Sequence, residues 1–167
     1  MSVAEKNSES LNKPYTLMNS IESEAFKRKL LWHGIFLCTL GFIVGLFIPL
    51  YANPRAGLAT HLLGITEGLF LVAIGFCYGE LKLPLVVAKL NFWMLLVSAY
   101  FGLFGEFLGA TLGVNRILVV TGIGLPENNP WLETSIELII KCISIFILLS
   151  CFIVLFGLRG TKSNSNL

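Results

Sequence analysis

Four long apolar runs constrain what this chain can fold into more than any other feature of its sequence. Each has about the 20 residues that a helix needs to cross the hydrocarbon core of a bilayer. A membrane-spanning strand needs about half that length and alternates apolar with polar residues, which these runs do not. The runs are Leu30–Tyr51, Leu58–Tyr78, Leu90–Leu112 and Ile136–Leu158. The sequence therefore predicts an all-α integral membrane protein whose four helices form one bundle.

The composition agrees with a chain that lies mostly in lipid. Hydrophobic residues make up 55% of it and charged residues 13%, where soluble proteins have roughly a quarter charged. This balance excludes a soluble enzyme, a disordered regulator and a protein that binds nucleic acid through a basic patch. The four cysteines fall inside the runs without a CxxC pair, which is typical of small buried hydrophobic side chains rather than of a disulfide or zinc site.

Polar segments flank the membrane domain, and basic residues orient it. We assign 1–26 to a polar tail with one short helix near Leu17–Phe26, 27–160 to the membrane domain, and 161–167 to a second polar tail. The basic residues gather before the first run, around the second connection and after the last run. The positive-inside rule then predicts both termini in the cytoplasm, and we expect the membrane to be a bacterial inner membrane.

The third connection, Gly113–Thr134, is longer than the other two and contains the apolar stretch Ile117–Ile123. It is either an extension of the third helix or a flap over a site that opens outward. Pro126 and Pro130 interrupt it, and Trp131 suits a membrane interface. We favour the flap.

Ionisable side chains inside the runs are candidates for function because burying them in lipid is costly. Glu137 and Lys141 are four residues apart, so they are predicted to pair near a helix end. Glu67 and Glu106 have no basic partner in the sequence pattern and are expected to be protonated. Such carboxyls can act as general acids, with Tyr100 alongside Glu106, or can hydrogen-bond neighbouring helices.

The second run carries a histidine among glycines. His61 shares one helical face with Gly57, Gly64, Gly68 and Gly75, since steps of three, four and seven residues keep to one side of a helix. One interpretation is tight helix packing through small residues, with His61 satisfied in the core. The other is that a large flat group such as heme lies against this face, with His61 as its axial ligand.

Glu67 follows His61 by six residues, which is about 240° around a helix. The two side chains therefore cannot face the same space within one chain. Either one of them has no functional role, or the helix contributes to two sites, as it would in a small cyclic oligomer. The third run has a glycine face of its own, which includes Gly102 beside Glu106.

Two motifs resemble known membrane isomerases. Ala25–Lys29 followed by His33–Ile35 resembles the start of styrene oxide isomerase, and Asn53–Leu58 followed by His61–Gly64 resembles the hydroxylaminobenzene mutases. The two groups are similar to each other, and the resemblance covers Ala25–Gly160. It implies a trimer of four-helix protomers that binds heme b, with the axial histidine at the position of His61.

The resemblance also implies an activity. Styrene oxide isomerase opens an epoxide to an aldehyde with ferric heme as the Lewis acid, and the mutases convert arylhydroxylamines to aminophenols. This sequence departs from the isomerase pattern at three pocket positions. Glu67 replaces an asparagine, while Gly102 and Glu106 replace an asparagine and a tyrosine. The departures leave the heme scaffold in place and leave the substrate open.

We therefore predict a heme-dependent membrane isomerase or mutase, in a cyclic homotrimer, acting on a small apolar aromatic substrate that arrives from the bilayer. The alternatives are a heme protein for electron transfer or sensing, and a non-enzymatic four-helix protein. The cofactor-binding residues are predicted to be His61, as the metal ligand, with Gly57, Gly64, Gly68 and Gly102. The catalytic residues are predicted to be Glu67, Glu106 and Tyr100.

Overall fold

The computed structural model describes residues 18–114, 120, 123–124, 126 and 129–159. Within them the chain forms four long helices and no strand, and every helix is long and apolar enough to cross a membrane. The helices are α1 (Ser20–Leu46), α2 (Pro54–Cys77), α3 (Leu85–Leu112) and α4 (Pro130–Gly157), with short 3-10 turns at Ile48–Leu50 and Tyr78–Glu80. The prediction of an all-α integral membrane protein is confirmed.

Helix α1 begins earlier than its apolar run because a capping box starts it. The Asn19 side chain accepts a hydrogen bond from the Glu22 backbone N–H, and the Glu22 carboxylate accepts one from the Asn19 N–H. The short helix expected in the polar tail is thus the first part of α1. Its Phe26 ring lies 5.5 Å from the Tyr78 ring, centroid to centroid, so this part packs against the bundle.

Side chains and a glycine also set the adjoining ends of α2 and α3. Asn53 caps α2 by accepting from the Ala56 N–H, and its own backbone N–H donates to the Ala110 carbonyl of α3 over 3.0 Å. Helix α3 stops at Gly113, whose φ of 71° is left-handed, a conformation that glycine adopts easily. The cap and the glycine together fasten the start of α2 to the end of α3.

Much of the third connection, namely 115–119, 121–122, 125 and 127–128, lies outside the described residues. The flap prediction therefore stays a prediction, although α3 itself ends at Leu112 and does not continue into the connection. The Arg55 guanidinium of α2 donates a hydrogen bond to the Ile123 carbonyl of this connection over 3.2 Å. This part of the connection therefore lies over the start of α2.

The buried core lies among α1, α2 and α3, with α4 at its edge. Only 11% of the most apolar stretch of α4 is buried, against 28% to 39% in the other three helices. Helix α4 is held to α3 by a buried hydrogen bond from the Ser150 hydroxyl to the Asn91 side-chain oxygen. The expected pair of Glu137 and Lys141 forms in the first half of α4.

Cys142 of α4 is exposed, so the prediction of buried cysteines is wrong there.

Candidate functional site

Helices α1 and α2 touch backbone to backbone along a seam of glycines. A Cβ atom added to Gly64 would lie 2.7 Å from the Gly41 Cα atom, and one added to Gly68 would lie 2.5 Å from the Gly34 carbonyl oxygen. No side chain larger than hydrogen fits these positions without a shift of the backbone. At Gly64 and Gly68 the glycine face therefore serves tight helix packing, because α1 covers both residues.

His61 lies at one end of this seam and is oriented by α1. Its Nδ1 atom is 2.8 Å from the Gly41 carbonyl oxygen. Since a carbonyl oxygen can only accept, Nδ1 carries the hydrogen and Nε2 keeps its lone pair. Gly45 makes the contact possible, because a Cβ there would lie 2.5 Å from Nδ1. Histidines that bind metals commonly hold their second ring nitrogen in this way, through a backbone carbonyl.

The imidazole is half-buried and borders an apolar outer surface. The Phe42 ring lies 6.1 Å from it, centroid to centroid, and both Phe42 and Leu58 are about half exposed, at 58% and 48%. Leu58 precedes His61 by one turn on α2. The His61 ring therefore sits between α1 and α2 at the edge of the bundle.

Glu67 occupies a different side of α2. It lines a groove of about 380 Å³ between α2 and α4, together with Phe70 and with Ile147 and Cys151 of α4. One of its carboxyl oxygens, Oε2, is buried and has no hydrogen-bond partner among the described residues. The expectation that His61 and Glu67 face different spaces is thus confirmed: one contacts α1, and the other faces α4.

Glu106 of α3 presents a second unpartnered carboxyl oxygen. Its Oε2 atom is also buried without a hydrogen-bond partner in the part of the chain that the structure describes. Native proteins rarely leave a buried polar atom unpaired, and each such atom calls for a functional or structural explanation. A protonated carboxyl that meets its partner only when substrate is bound is one such explanation.

Tyr100, the third predicted catalytic residue, is engaged elsewhere. Its hydroxyl lies 2.9 Å from Nδ1 of His33, so it links α3 to α1. The His33 ring in turn packs edge-on against Trp32, at 4.9 Å between centroids. In a single chain this pair joins two helices, and the catalytic role of Tyr100 stays a prediction.

The glycines assigned to cofactor binding do not share one surface in a single chain. Gly57 lies under the ring of Tyr51, and Gly102 faces Ile143 of α4, whose Cγ2 atom would be 3.7 Å from an added Cβ. Gly64 and Gly68 lie under α1. The cofactor role of these glycines stays a prediction to which their contacts add no support.

Sequence reasoning missed the two residues that orient His61. Gly41 supplies the carbonyl oxygen, and Gly45 supplies the space beside the imidazole. Their four-residue spacing matches the small-xxx-small pattern of close helix pairs. With Gly34 seven residues earlier on the same helical face, this pattern is the signal that could have identified α1 as the partner of α2.

Comparison with known proteins places this geometry in a family. The sequence model of the styrene oxide isomerase family matches residues 26–159. Hydroxylaminobenzene mutase HabB of Ectopseudomonas oleovorans is 30% identical over 139 residues, which cover 83% of this chain and 85% of the relative. Hydroxylaminobenzene mutase HabA of the same organism is 34% identical over 100 residues, covering 60% of this chain and 74% of the relative.

No solved structure matches the chain. The family match spans all four helices, and both mutases align with a large part of the chain. The family and these relatives are named for intramolecular rearrangements, so the protein is an isomerase. The chain belongs to the styrene oxide isomerase family.

Proposed function

We propose that this protein is a heme b-dependent membrane isomerase of the hydroxylaminobenzene mutase type, which rearranges an arylhydroxylamine to an aminophenol. The observation that carries the proposal is the orientation of His61. Its Nδ1–H is held by the Gly41 carbonyl, so Nε2 is available to a metal at an apolar surface. Rearrangement of a small epoxide is the second candidate, and the family name favours it.

The residues present fit a heme better than a metal ion held by protein ligands alone. The described residues hold no group of three or more His, Cys, Asp or Glu side chains placed to bind a metal. A single imidazole suffices for heme, because the porphyrin supplies four further ligands. When bound, the ferric iron would supply a Lewis acid for the substrate oxygen. His61 would hold it, and the ring of Phe42 would lie beside it.

The proton chemistry falls to Glu67 and Glu106. A protonated carboxyl donates its proton to the hydroxyl oxygen as the N–O bond breaks, and the electron pair of that bond leaves with the oxygen. The released water adds to the ring cation and passes one proton to the nitrogen, and the carboxylate takes back the proton that the ring carbon loses. Substrate and product are isomers, so the cycle needs no net proton and no oxidant.

This proton balance favours the arylhydroxylamine over the epoxide. When a Lewis acid binds the epoxide oxygen, conversion to an aldehyde moves hydrogen within the substrate, and no group has to give and regain a proton. Rearrangement of an arylhydroxylamine needs both steps. Carboxyls at Glu67 and Glu106, where the isomerase pattern has asparagine and tyrosine, suit the second reaction.

The apolar surroundings have two further roles. The groove between α2 and α4 that contains Glu67 opens sideways from the bundle, which suits access of an apolar aromatic substrate from the bilayer. Phe70 and Ile147 line the groove together with the carboxyl, so its walls beside Glu67 are apolar. Exclusion of water protects a cationic intermediate from capture by solvent and favours rearrangement.

We further propose that the site is shared between copies in a cyclic trimer. His61 and Glu67 lie on different sides of α2, so one chain cannot present both to one substrate. In a cyclic oligomer each α2 faces two neighbours, and His61 of one copy meets Glu67 of the next.

The proposed orientation puts both termini in the cytoplasm of a bacterium, and a reporter fused after Leu167 tests it.

Co-expression of two inactive variants tests the shared site. His61→Ala and Glu67→Gln are each expected to be inactive alone. In mixed trimers about a quarter of the interfaces combine an intact His61 with an intact Glu67, so activity returns. If both variants form trimers and the mixture stays inactive, the site lies within one chain.

The visible absorption spectrum of the purified protein is the main test of the function. We expect a Soret band that His61→Ala abolishes, together with conversion of phenylhydroxylamine to an aminophenol. His33→Ala is a matched control, because His33 also has Nδ1 engaged by a partner, the Tyr100 hydroxyl. A Soret band that survives His61→Ala, or one that only His33→Ala removes, would refute His61 as the ligand.

A further inference from the structure

An apolar groove at the edge of the bundle lies apart from His61, Glu67 and Glu106. It runs between the first half of α3 and the second half of α4, and its volume is about 700 Å³. Its walls are almost entirely apolar. They include Val87, Leu90 and Met94 on one side and Leu149, Phe152 and Phe156 on the other.

The length of this groove matches one leaflet of a bilayer. Its α4 wall extends from Leu149 to Arg159, which is about 15 Å at 1.5 Å per residue. The hydrocarbon core of a whole bilayer is roughly 30 Å thick. The groove therefore reaches from the membrane surface, on the side where α1 begins and α4 ends, to about the middle of the membrane.

The mouth of the groove is positively charged. Arg159 lines it, and the Lys82 backbone N–H donates to the Gly157 carbonyl over 3.0 Å, which holds Lys82 next to the end of α4. Both side chains are exposed, and neither forms an ion pair within the described part of the chain. The charge stays positive when Glu80 of the same loop is counted.

We propose that this groove is a binding site for an anionic phospholipid. One acyl chain lies between α3 and α4, and the phosphate group meets Arg159 and Lys82 at the membrane surface. An apolar wall alone would accept any lipid, but the two cations select a headgroup with net negative charge. Basic pockets between membrane helices on the cytoplasmic side recognise anionic lipids in this way.

The groove also has a structural use for such a lipid. Helix α4 is the least covered helix, and next to the groove the Ser150 hydroxyl bonds to Asn91 of α3. An acyl chain along Leu90 and Phe152 would fill the space that the two helices leave open. We therefore expect the lipid to stabilise the α3–α4 pair.

Native mass spectrometry of the full chain in detergent tests the site. The probes are phosphatidylglycerol and phosphatidylcholine with identical acyl chains. We expect more bound phosphatidylglycerol than phosphatidylcholine on the unaltered protein. Arg159→Gln is expected to lower phosphatidylglycerol binding about fivefold, the factor for one basic residue at an anionic surface, which is about 1 kcal/mol.

Two control variants separate the groove from general surface attraction. Arg28→Gln removes an exposed basic residue of α1 and is expected to lower phosphatidylglycerol binding less than Arg159→Gln does. Leu90→Trp fills the groove and is expected to reduce binding, whereas Leu138→Trp, at a similarly exposed position of α4, is not.

Three outcomes would overturn the proposal. The first is equal binding of the two lipids, and the second is an Arg159→Gln effect no larger than that of Arg28→Gln. The third is efficient cross-linking of Leu90→Cys between two copies in native membranes. That result would show a second copy of the chain, rather than a lipid, covering the groove.

Discussion

The α1–α2 pair and the α3–α4 pair are packed on different principles. Helices α1 and α2 meet through glycines, and an added Cβ would lie within 3 Å of the opposite helix at Gly64 and Gly68. Helices α3 and α4 also meet beside glycines, but an added Cβ at Gly102 or Gly105 would make only ordinary contacts with isoleucine side chains, at 3.4 to 3.7 Å. The first pair is fixed by backbone contact, and the second leaves space.

The difference bears on where function can lie. A metal ligand needs a rigid position, and His61, the proposed ligand, is held by a carbonyl of the tightly packed partner helix. A lipid or a substrate needs space, and the groove at Glu67 and the groove near Arg159 are each bordered by the loosely covered α4. The rigid pair therefore suits cofactor binding, and the surroundings of α4 suit apolar ligands and proton transfer.

Among substitutions that distinguish the two helix pairs, Glu106→Gln in α3 is expected to have the largest effect. Glutamine has nearly the same volume but cannot deliver a proton, so turnover should fall by about 10² to 10⁴. The Soret band should stay, because His61 on the other helix pair is unchanged. Steady-state kinetics and the spectrum check both parts, with Glu137→Gln, whose partner is Lys141, as the control. Full activity of Glu106→Gln would assign oxygen activation to the iron alone.

A smaller effect is expected when one methyl group is added to each glycine seam. Gly68→Ala places a Cβ 2.5 Å from the Gly34 carbonyl oxygen, and overpacking of this kind costs about 1 to 3 kcal/mol. Gly102→Ala is the matched variant, since its nearest neighbour is 3.7 Å away, and it should be near neutral. Thermal unfolding in detergent measures both. Equal destabilisation of the two would remove the contrast between the helix pairs.

The orientation of His61 can be weakened without removing the histidine. Gly45→Ala places a Cβ 2.5 Å from Nδ1, so the imidazole must leave the Gly41 carbonyl while the backbone keeps its place. Loss of such an orienting contact typically lowers metal affinity about 10- to 100-fold. Heme titration followed by absorbance should report that loss with little change in unfolding temperature. Unchanged affinity would mean that α1 does not orient the ligand.

The smallest effect is expected in the α3–α4 pair. Ser150→Ala removes the hydroxyl that bonds to Asn91, and interhelical hydrogen bonds in membranes contribute about 0.6 kcal/mol on average. Ser144→Ala is the control, because that hydroxyl bonds to the Ile140 carbonyl of its own helix. Unfolding in detergent should separate the two variants slightly. A loss as large as that of Gly68→Ala would make the two pairs equally rigid.

Much of the fold and part of the site could be predicted from local pattern. The apolar runs gave the number and class of the helices, and the four-residue spacing gave the pair of Glu137 and Lys141. The six-residue spacing placed His61 and Glu67 on different sides of α2, as their contacts confirm. The start of α1 was assigned too late, because hydropathy does not register the cap formed by Asn19 and Glu22.

The sequence by itself determined which residues share a helical face, because helix periodicity is a local property of the chain. Which neighbour covers a face depends on contacts between residues distant in sequence, and periodicity carries no information about them. Only the tertiary structure assigned α1 to the glycine face of α2, the Gly41 carbonyl to His61, and the Tyr100 hydroxyl to His33. Likewise, only the packing of α4 placed Glu67 in a groove and left the second, apolar groove open beside Arg159.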